Sequence, residues 1–518
     1  MAGTGGKKRS CAGKKKIIGL VKNNMAFALF ALVMAIYYGW RMFALEPWYD
    51  ELYTYYSFIS RGPVYAAIHW PVPNNHVFYS VLSGFFMIFE NPYIALRGVS
   101  WLFSVGNLIM LYYLAGRFFS KTISLGCVFL YSSFYLVNYI SIQGRGYTLS
   151  VGLYLLALIM LYHICMKEKA KGCYYVFFSL ALTAGLYTVP SNIYWVLPLC
   201  LTGGLYLLCQ KEIRTLLRLV VASLVAAINT LGLYSIIWLA IGSNLLSKTA
   251  DSGYFGIHQV KIILKVPFQA WKRGMDYMLA SPYVQSIDRG RVISEFFGWV
   301  RGLMNLFVSS FGNALTILLA VSMVLCLAGG IKAFKQKKKK RLFLYLYTGS
   351  MLWGLPLILV VQSVQPYYRV FTFLGVLLAL LFVAYLSEIK KGKWEKGICA
   401  ALLIWACIQL FSPYYNGEYG DREIKIKEIW EMAEIGEVES ICFMDDYQKY
   451  VLQFYWNLRP QEAVLEEAQY ILLPKELMKE DEVNEWPILY NHEGVNWEYL
   501  STCQVLEETK DYILYRRN

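Results

Sequence analysis

The chain has 518 residues, of which 57% are hydrophobic and 17% aromatic, and its mean hydropathy is +0.41. That is far too apolar for a water-soluble enzyme of this length, so it is read as a multi-pass membrane protein. The formal charge of +14 averages two unlike regions, because residues 421–518 hold 22 of the 35 acidic residues and only 10 of the 49 basic ones. A basic membrane part thus precedes an acidic soluble tail. Orientation and anionic lipid account for the lysine runs, and a nucleic-acid partner is not expected.

Taken in order, "MAGTGGKKRSCAGKKK" precedes an apolar run at 24–44, around twenty residues and long enough to span a bilayer. No small-residue cleavage site follows Leu45, so this is a retained first helix rather than a signal peptide. Further apolar runs lie at 93–116, 122–141, 147–166, 173–190, 192–209, 218–241, 304–331, 342–361, 370–387 and 397–412. Together they predict about eleven spans.

The segment "HVFYSVLSGFFMIFE" at 76–90, about fifteen residues, is short for a span, and its assignment decides the side of everything downstream. If it lies along the membrane surface, the basic connections at Arg117/Lys121, 167–171, 210–218, 335–341 and 390–396 all share a side with the lysine-rich N-terminus, as the positive-inside rule requires. If it crosses, all of them fall outside. The expected organisation is therefore a cytoplasmic N-terminus at 1–23, a transmembrane domain at 24–412 and an extracytoplasmic α/β domain at 413–518. Residues 45–92, the turn 142–146, the loop 242–303 and the turn 362–369 face the outer side.

In the tail, "IKEIWEMAEIG" and "DYQKYVLQFYWNL" have helical spacing, and "VESICFM", "QYILLP" and "DYILYRR" read as short strands. The chain has neither a C-x-x-C nor a Cys/His cluster of zinc spacing. Cys442 and Cys503, the two cysteines of the tail, are open to either a disulfide or two buried thiols.

The stretch "PWYDELYTYYSFISRGPVYAAIHWPVPNNHVFYS" places Asp50 and Glu51 just beyond the first span, where a carboxylate meets water on one side and an apolar wall on the other. Such a wall raises a carboxylate's pKa and makes it a better base. The plain alternative is that Asp50 only N-caps a short surface helix. His76 follows on the same outer side. The turn "NYISIQGRGYTLS" brings Gln143, Arg145 and Tyr147 between glycines that allow close approach, and "QSVQPYYRVFTF" brings Arg369 to the outer start of another span. Outer arginines break the positive-inside pattern and suit a phosphate held at the lipid surface, although an arginine there also snorkels.

The Asp-Glu pair, the Asn-His before 77, "IALRGVS" around Arg97, the Q-x-R-x-Y turn and "YYRV" together resemble the GT-C superfamily of polyprenyl-phosphate-sugar-dependent glycosyltransferases. The branch they most resemble is the bacterial one related to protein O-mannosyltransferases and the aminoarabinose transferase. The likeness covers roughly 24–390. It implies a GT-C-like helical domain with juxtamembrane helices, at the cell membrane of a bacterium. It also implies that Asp50, with Glu51 beside it, is the general base of an inverting transfer from a lipid-phosphate sugar to a glycan, lipid or protein hydroxyl. Arg145, Arg369, Tyr147, Arg97 and His76 would bind the donor and its phosphate. Some relatives carry a metal-binding acidic residue where this chain has Arg145, which argues against metal dependence; no other cofactor is implied. Cations in 242–303 (Lys248, Lys261, Lys265, Lys272, Arg273, Arg289 and Arg291) could fold over the site as a lid or could remain solvated. A transporter or flippase would place charge inside the spans, and these are nearly charge-free. An inactive scaffold remains the third class.

Overall fold

The computed structural model describes residues 24–69, 74–167, 170–247, 256–280, 291–309, 311–389, 393–413, 420–433, 435, 438–444, 446–458, 461–478 and 495–518. Met25–Ala44 (α1) is followed by three short helices, Tyr49–Ser57 (α2), Pro63–Ile68 (α3) and Val77–Phe85 (α4). Next come Pro92–Ala115 (α5), Lys121–Ser132 (α6), Tyr135–Tyr139 (α7), Tyr147–Met166 (α8), Gly172–Thr188 (α9), Ile193–Cys209 (α10) and Ile213–Leu246 (α11). The second half of the membrane part holds Ile257–Lys265 (α12), Pro267–Ala280 (α13), Val292–Phe307 (α14), Gly312–Lys335 (α15), Lys339–Gln362 (α16), Leu374–Ile389 (α17) and Lys393–Leu410 (α18).

The predicted apolar stretches are mainly helical, although 304–331 is divided between α14 and α15, and seven of the described helices are long and apolar enough to cross a membrane. The protein is a multi-pass helical membrane protein. The segment 76–90 forms the nine-residue α4 and a 3-10 turn, Phe86–Phe89. At 1.5 Å per residue α4 is about 14 Å long, under half of a hydrocarbon core of ~30 Å.

Two expectations change. The run 122–141 is broken after Ser132 into α6 and α7, and residues 140–146, which include the predicted turn 142–146, are entirely buried. Irregular backbone inside a protein needs hydrogen-bond partners. Ser100 Oγ donates to Gln143 O (2.5 Å), Asn107 Nδ2 to Thr148 O (3.0 Å), Arg41 Nη1 to Asn138 O (2.7 Å), and Ser104 Oγ to Ser141 O. The described residues of 242–303 are also mainly helical rather than loop: α11 runs on to Leu246, and α13 packs back against it. Gly242 and Gly274 make that approach possible, since a Cβ on either would overlap the backbone of Ala270 or Trp238. Lys261, Lys265, Lys272 and Arg273 are exposed on these helices, and no Lys or Arg among the described residues of 256–303 pairs with Asp50. Lys248 and Arg289 lie outside the described residues.

The two ends of the bundle are chemically sorted. At one end Lys340 Nζ donates to Arg117 O (2.9 Å), Ser120 Oγ to Glu395 Oε2 (2.7 Å), and Arg341 pairs with Glu388 at 2.9 Å. At the other lie α2–α4, the buried elbow 140–146, the turn before α17 and the C-terminal tail. The tail is a five-stranded sheet of Ser440–Phe443 (β1), Gln461–Glu462 (β2), Tyr470–Pro474 (β3), Gln504–Glu508 (β4) and Tyr512–Arg516 (β5), in the order β2-β1-β3-β5-β4. β1 runs parallel to β2 and β3, and β5 runs antiparallel to β3 and β4. Asp421–Met432 (α19), Asp446–Trp456 (α20) and Trp497–Thr502 (α21) accompany it. Cys442 and Cys503 are both free thiols.

Candidate active site

Helix α2 has nine residues and three working faces. Helical spacing puts Asp50, Thr54 and Ser57 on one of them. A second carries Leu52, fully buried in one cluster with Ile426, Trp430, Ile441 and Leu514 of the tail, beside Tyr49, Tyr53 and Tyr56, whose rings meet Tyr450. Glu51 points from the third face into the membrane part. The tail is thereby docked on the helix that bears Asp50, and Lys427–Glu46 at 2.8 Å secures the same junction. Trp48, not Asp50, is the N-cap, and Asp50 and Glu51 occupy the first turn, where the helix dipole favours negative charge.

Glu51 and Arg97 form a bidentate pair, Nε to Oε1 at 2.8 Å and Nη2 to Oε2 at 2.7 Å, with both side chains fully buried. Glu51 also accepts from the backbone N–H of Gly144 (2.5 Å) and Trp48 (3.3 Å). Arg97 Nη1 donates to Met42 O (3.0 Å) and Leu45 O (2.6 Å), carbonyls at the end of α1 that have no partner within their own helix. Gly144 sits close because a Cβ there would overlap Leu96. This hub joins α1, α2, α5 and the elbow. Its saturation with protein partners leaves Glu51 no lone pair facing a substrate and Arg97 no face for a phosphate.

Arg145, 2% exposed, is also spent mostly on the protein. Nη1 donates to Thr54 Oγ1 (2.7 Å), Asn74 O (3.1 Å) and Asp50 O (3.3 Å), and Nη2 to Asn74 Oδ1 (2.5 Å). His76 Nδ1 accepts from Gly146 N–H at 2.8 Å, and Nε2 lies 3.2 Å from Arg145 Nη2. Burial, then Arg145 and Arg369, hold the His76 pKa well below its ordinary value, so the ring stays neutral.

Arg369, on the 3-10 turn Tyr368–Phe371, reaches across the molecule to Asp50, with Nη1 at 2.8 Å from Oδ2. The two side chains keep 25% and 18% of their exposure, which makes this the solvent-facing member of the charge cluster. Trp48, Tyr147 and Tyr367 surround the guanidinium with ring centroids at 5.3, 5.7 and 5.1 Å, and Nε is buried without a partner. Trp299 Nε1 donates to Pro366 O at 3.3 Å and braces the turn from α14.

The Asp50 pKa departs from expectation. Burial pushes it up, but Arg145 and Arg369 together with hydrogen bonds from Arg369 and Asn74 outweigh that and leave it lowered from 3.8. Burial is the largest single influence, but the two guanidiniums and these hydrogen bonds together reverse its direction.

Residues 76–238 match the family described as dolichyl-phosphate-mannose-protein mannosyltransferase. Over that stretch the chain resembles this glycosyltransferase family. The match takes in His76, Arg97, Arg145 and Tyr147 and stops short of Asp50, Glu51 and Arg369 on either side. No curated protein matches the chain. Two solved structures of ArnT from Cupriavidus metallidurans align with 96% of this chain and 98% of theirs: one bound to undecaprenyl phosphate at 12% identity and a TM-score of 0.47, the other in the apo state at 11% and 0.44. Likeness that distant carries no function from one protein to the other.

Of the site residues expected from sequence, Asp50, Arg369, Tyr147, His76 and Arg145 converge, whereas Glu51 and Arg97 turn away into their own pair. Asn74, Thr54 and Trp48 were missed. Asn74 and Thr54 are ordinary surface types in sequence, and only Arg145, 71 and 91 residues away, makes them part of a site. A divalent cation would meet a single available carboxylate, Asp50, between two guanidiniums, so the residues present do not fit one. Among the described residues no three His, Cys, Asp or Glu side chains gather as ligands.

Proposed function

We propose that the protein is an inverting glycosyltransferase that moves a sugar from a polyprenyl-phosphate carrier to an acceptor hydroxyl. The carrying observation is the partly exposed Asp50–Arg369 pair at the ends of the spans. It offers one ionised carboxylate and one cation where a lipid phosphate and a polar acceptor can both arrive. Asp50 takes the acceptor's proton as the acceptor oxygen attacks C1. The C1–O bond to phosphate breaks on the opposite face, its electron pair leaves on the phosphate oxygen, and Arg369 stabilises that charge. The apolar cavity lined by Trp299, Phe371, Leu374 and Leu355 adjoins the Arg369 turn and has the right chemistry for the carrier's hydrocarbon. Arg145, Glu51 and Arg97 are positioning residues: they fix α2, and with it Asp50.

In the resting pair Arg369 occupies an oxygen of Asp50. An arriving phosphate competes for the guanidinium, frees the carboxylate, and raises its pKa toward that of a useful base. Arg369→Ala is expected to weaken titrated undecaprenyl phosphate by about 1.5–3 kcal/mol, the worth of a charge-assisted contact. Lysine should rescue it only in part, because a point charge does not reproduce the planar fork. Parent affinity in Arg369→Ala would remove the phosphate from this position.

The end holding Asp50 and the tail is the extracytoplasmic one on this proposal, since the opposite end gathers the basic connections. An alkaline-phosphatase fusion after Asn518 should be active and a cytoplasmic reporter at the same point silent. The reverse would place the reaction in the cytoplasm.

A further inference from the structure

Between α2 and the tail lies a cleft of about 490 Å³, within the size range of small-molecule sites. Neither part forms it alone. Arg61, just beyond α2, and Lys449, on α20, each supply a cation. The lining holds no carboxylate among the described residues, although the tail is the acid-rich part of the chain. Tyr56 and Tyr450 stack across the junction with centroids 5.6 Å apart and planes at 4°, and Ser57 and Gln453 add uncharged hydrogen-bonding groups to the wall. Arg61 Nη1 donates to Tyr65 at 3.1 Å, which leaves its other donors for a ligand. Lys449 lies 3.4 Å from Glu462, in a pair 39% and 54% exposed, and such pairs hold weakly in water.

The cleft also has a direction. Ser57 is seven residues after Asp50 on the same face of α2, so the base lies about 10 Å along the helix from the cleft. Cations beside aromatic rings and amide or hydroxyl groups recognise a sugar bearing a carboxylate or phosphate.

We infer that this cleft is the acceptor subsite and that it holds an anionic saccharide whose reactive hydroxyl reaches Asp50. The inference rests on the glycosyl-transfer proposal above but is tested by binding. The full-length protein in nanodiscs is titrated calorimetrically with three probes: a glucuronate-bearing disaccharide, a phosphorylated disaccharide and neutral maltose. At least one anionic probe should bind 10-fold or more tightly than maltose, and which one does separates carboxylate from phosphate. Arg61→Gln and Lys449→Gln should each weaken that probe 5-fold or more while leaving undecaprenyl phosphate binding unchanged. Lys449→Glu, on an exposed helix face, provides the reading if Arg61→Gln lowers Tm. Maltose binding as tightly as both anions, or parent affinity in the variants, overturns the inference. Asp50→Asn should bind the anionic probe like the parent, so a variant that binds the probe normally and still transfers sugar condemns the proposed function and not the cleft.

Discussion

Asp50→Asn is expected to leave the protein folded and to slow sugar transfer by roughly 10²- to 10⁴-fold. Asparagine keeps the size of the side chain and removes only the proton acceptor. The ion pair it breaks keeps 18% and 25% of its side-chain exposure, so Arg369 is left in reach of water rather than sealed in as the partner of a fully buried pair is. Asp50 is not the N-cap of its helix, so no cap is lost. Transfer at the parent rate, with parent Tm, would end the case for Asp50 as base. The pH profile tests the same group separately. Because the Asp50 pKa in the free protein is lowered from 3.8, the ionised form persists through that value, and kcat/KM should lose activity only below it. Once donor phosphate has taken Arg369, the lowering is relieved, and the acid limb of kcat should lie at higher pH than that of kcat/KM. Coincident limbs would mean that Arg369 stays on Asp50 through turnover.

Glu51→Gln is expected to fail in the opposite way, by loss of folded protein. Arg97 would remain fully buried beside a neutral amide, and removing one member of a buried pair costs about 3–5 kcal/mol because the other charge is left uncompensated. The damage would spread to the end of α1 and to the elbow that Gly144 belongs to, since both are held by this pair. The expected measurement is a fall in Tm and in monodisperse yield, partly restored in Glu51→Gln/Arg97→Met, where no buried charge is orphaned. Parent Tm with abolished transfer would return the base role to Glu51.

Adjacent in sequence and identical in charge, Asp50 and Glu51 look in the sequence like one catalytic pair. One residue of offset is 100° around a helix, enough to send Glu51 into the membrane part and leave Asp50 at the water-facing edge. The arginines divide in the same way. Arg97, Arg145 and Arg369 all looked like phosphate ligands in sequence, yet their exposure separates a buried staple, a buried brace and a cation with an open side. Composition and periodicity carry no record of which side chain saturates which.

The apolar runs by themselves determined the membrane class, the helical stretches and the shortness of 76–90, because bilayer thickness sets a length that can be counted along the chain. The acidic tail and three of its five strands were also legible, since strand alternation is local. Only the tertiary structure decided that 140–146 is buried, that the described residues of 242–303 are mainly helical, and that Leu52 seats the tail on the helix of Asp50. Only it reversed the direction of the Asp50 pKa, through a partner 319 residues away. Those outcomes depend on which charges and rings meet across long loops, and pair distances of a few ångströms decide electrostatics where sequence separation does not.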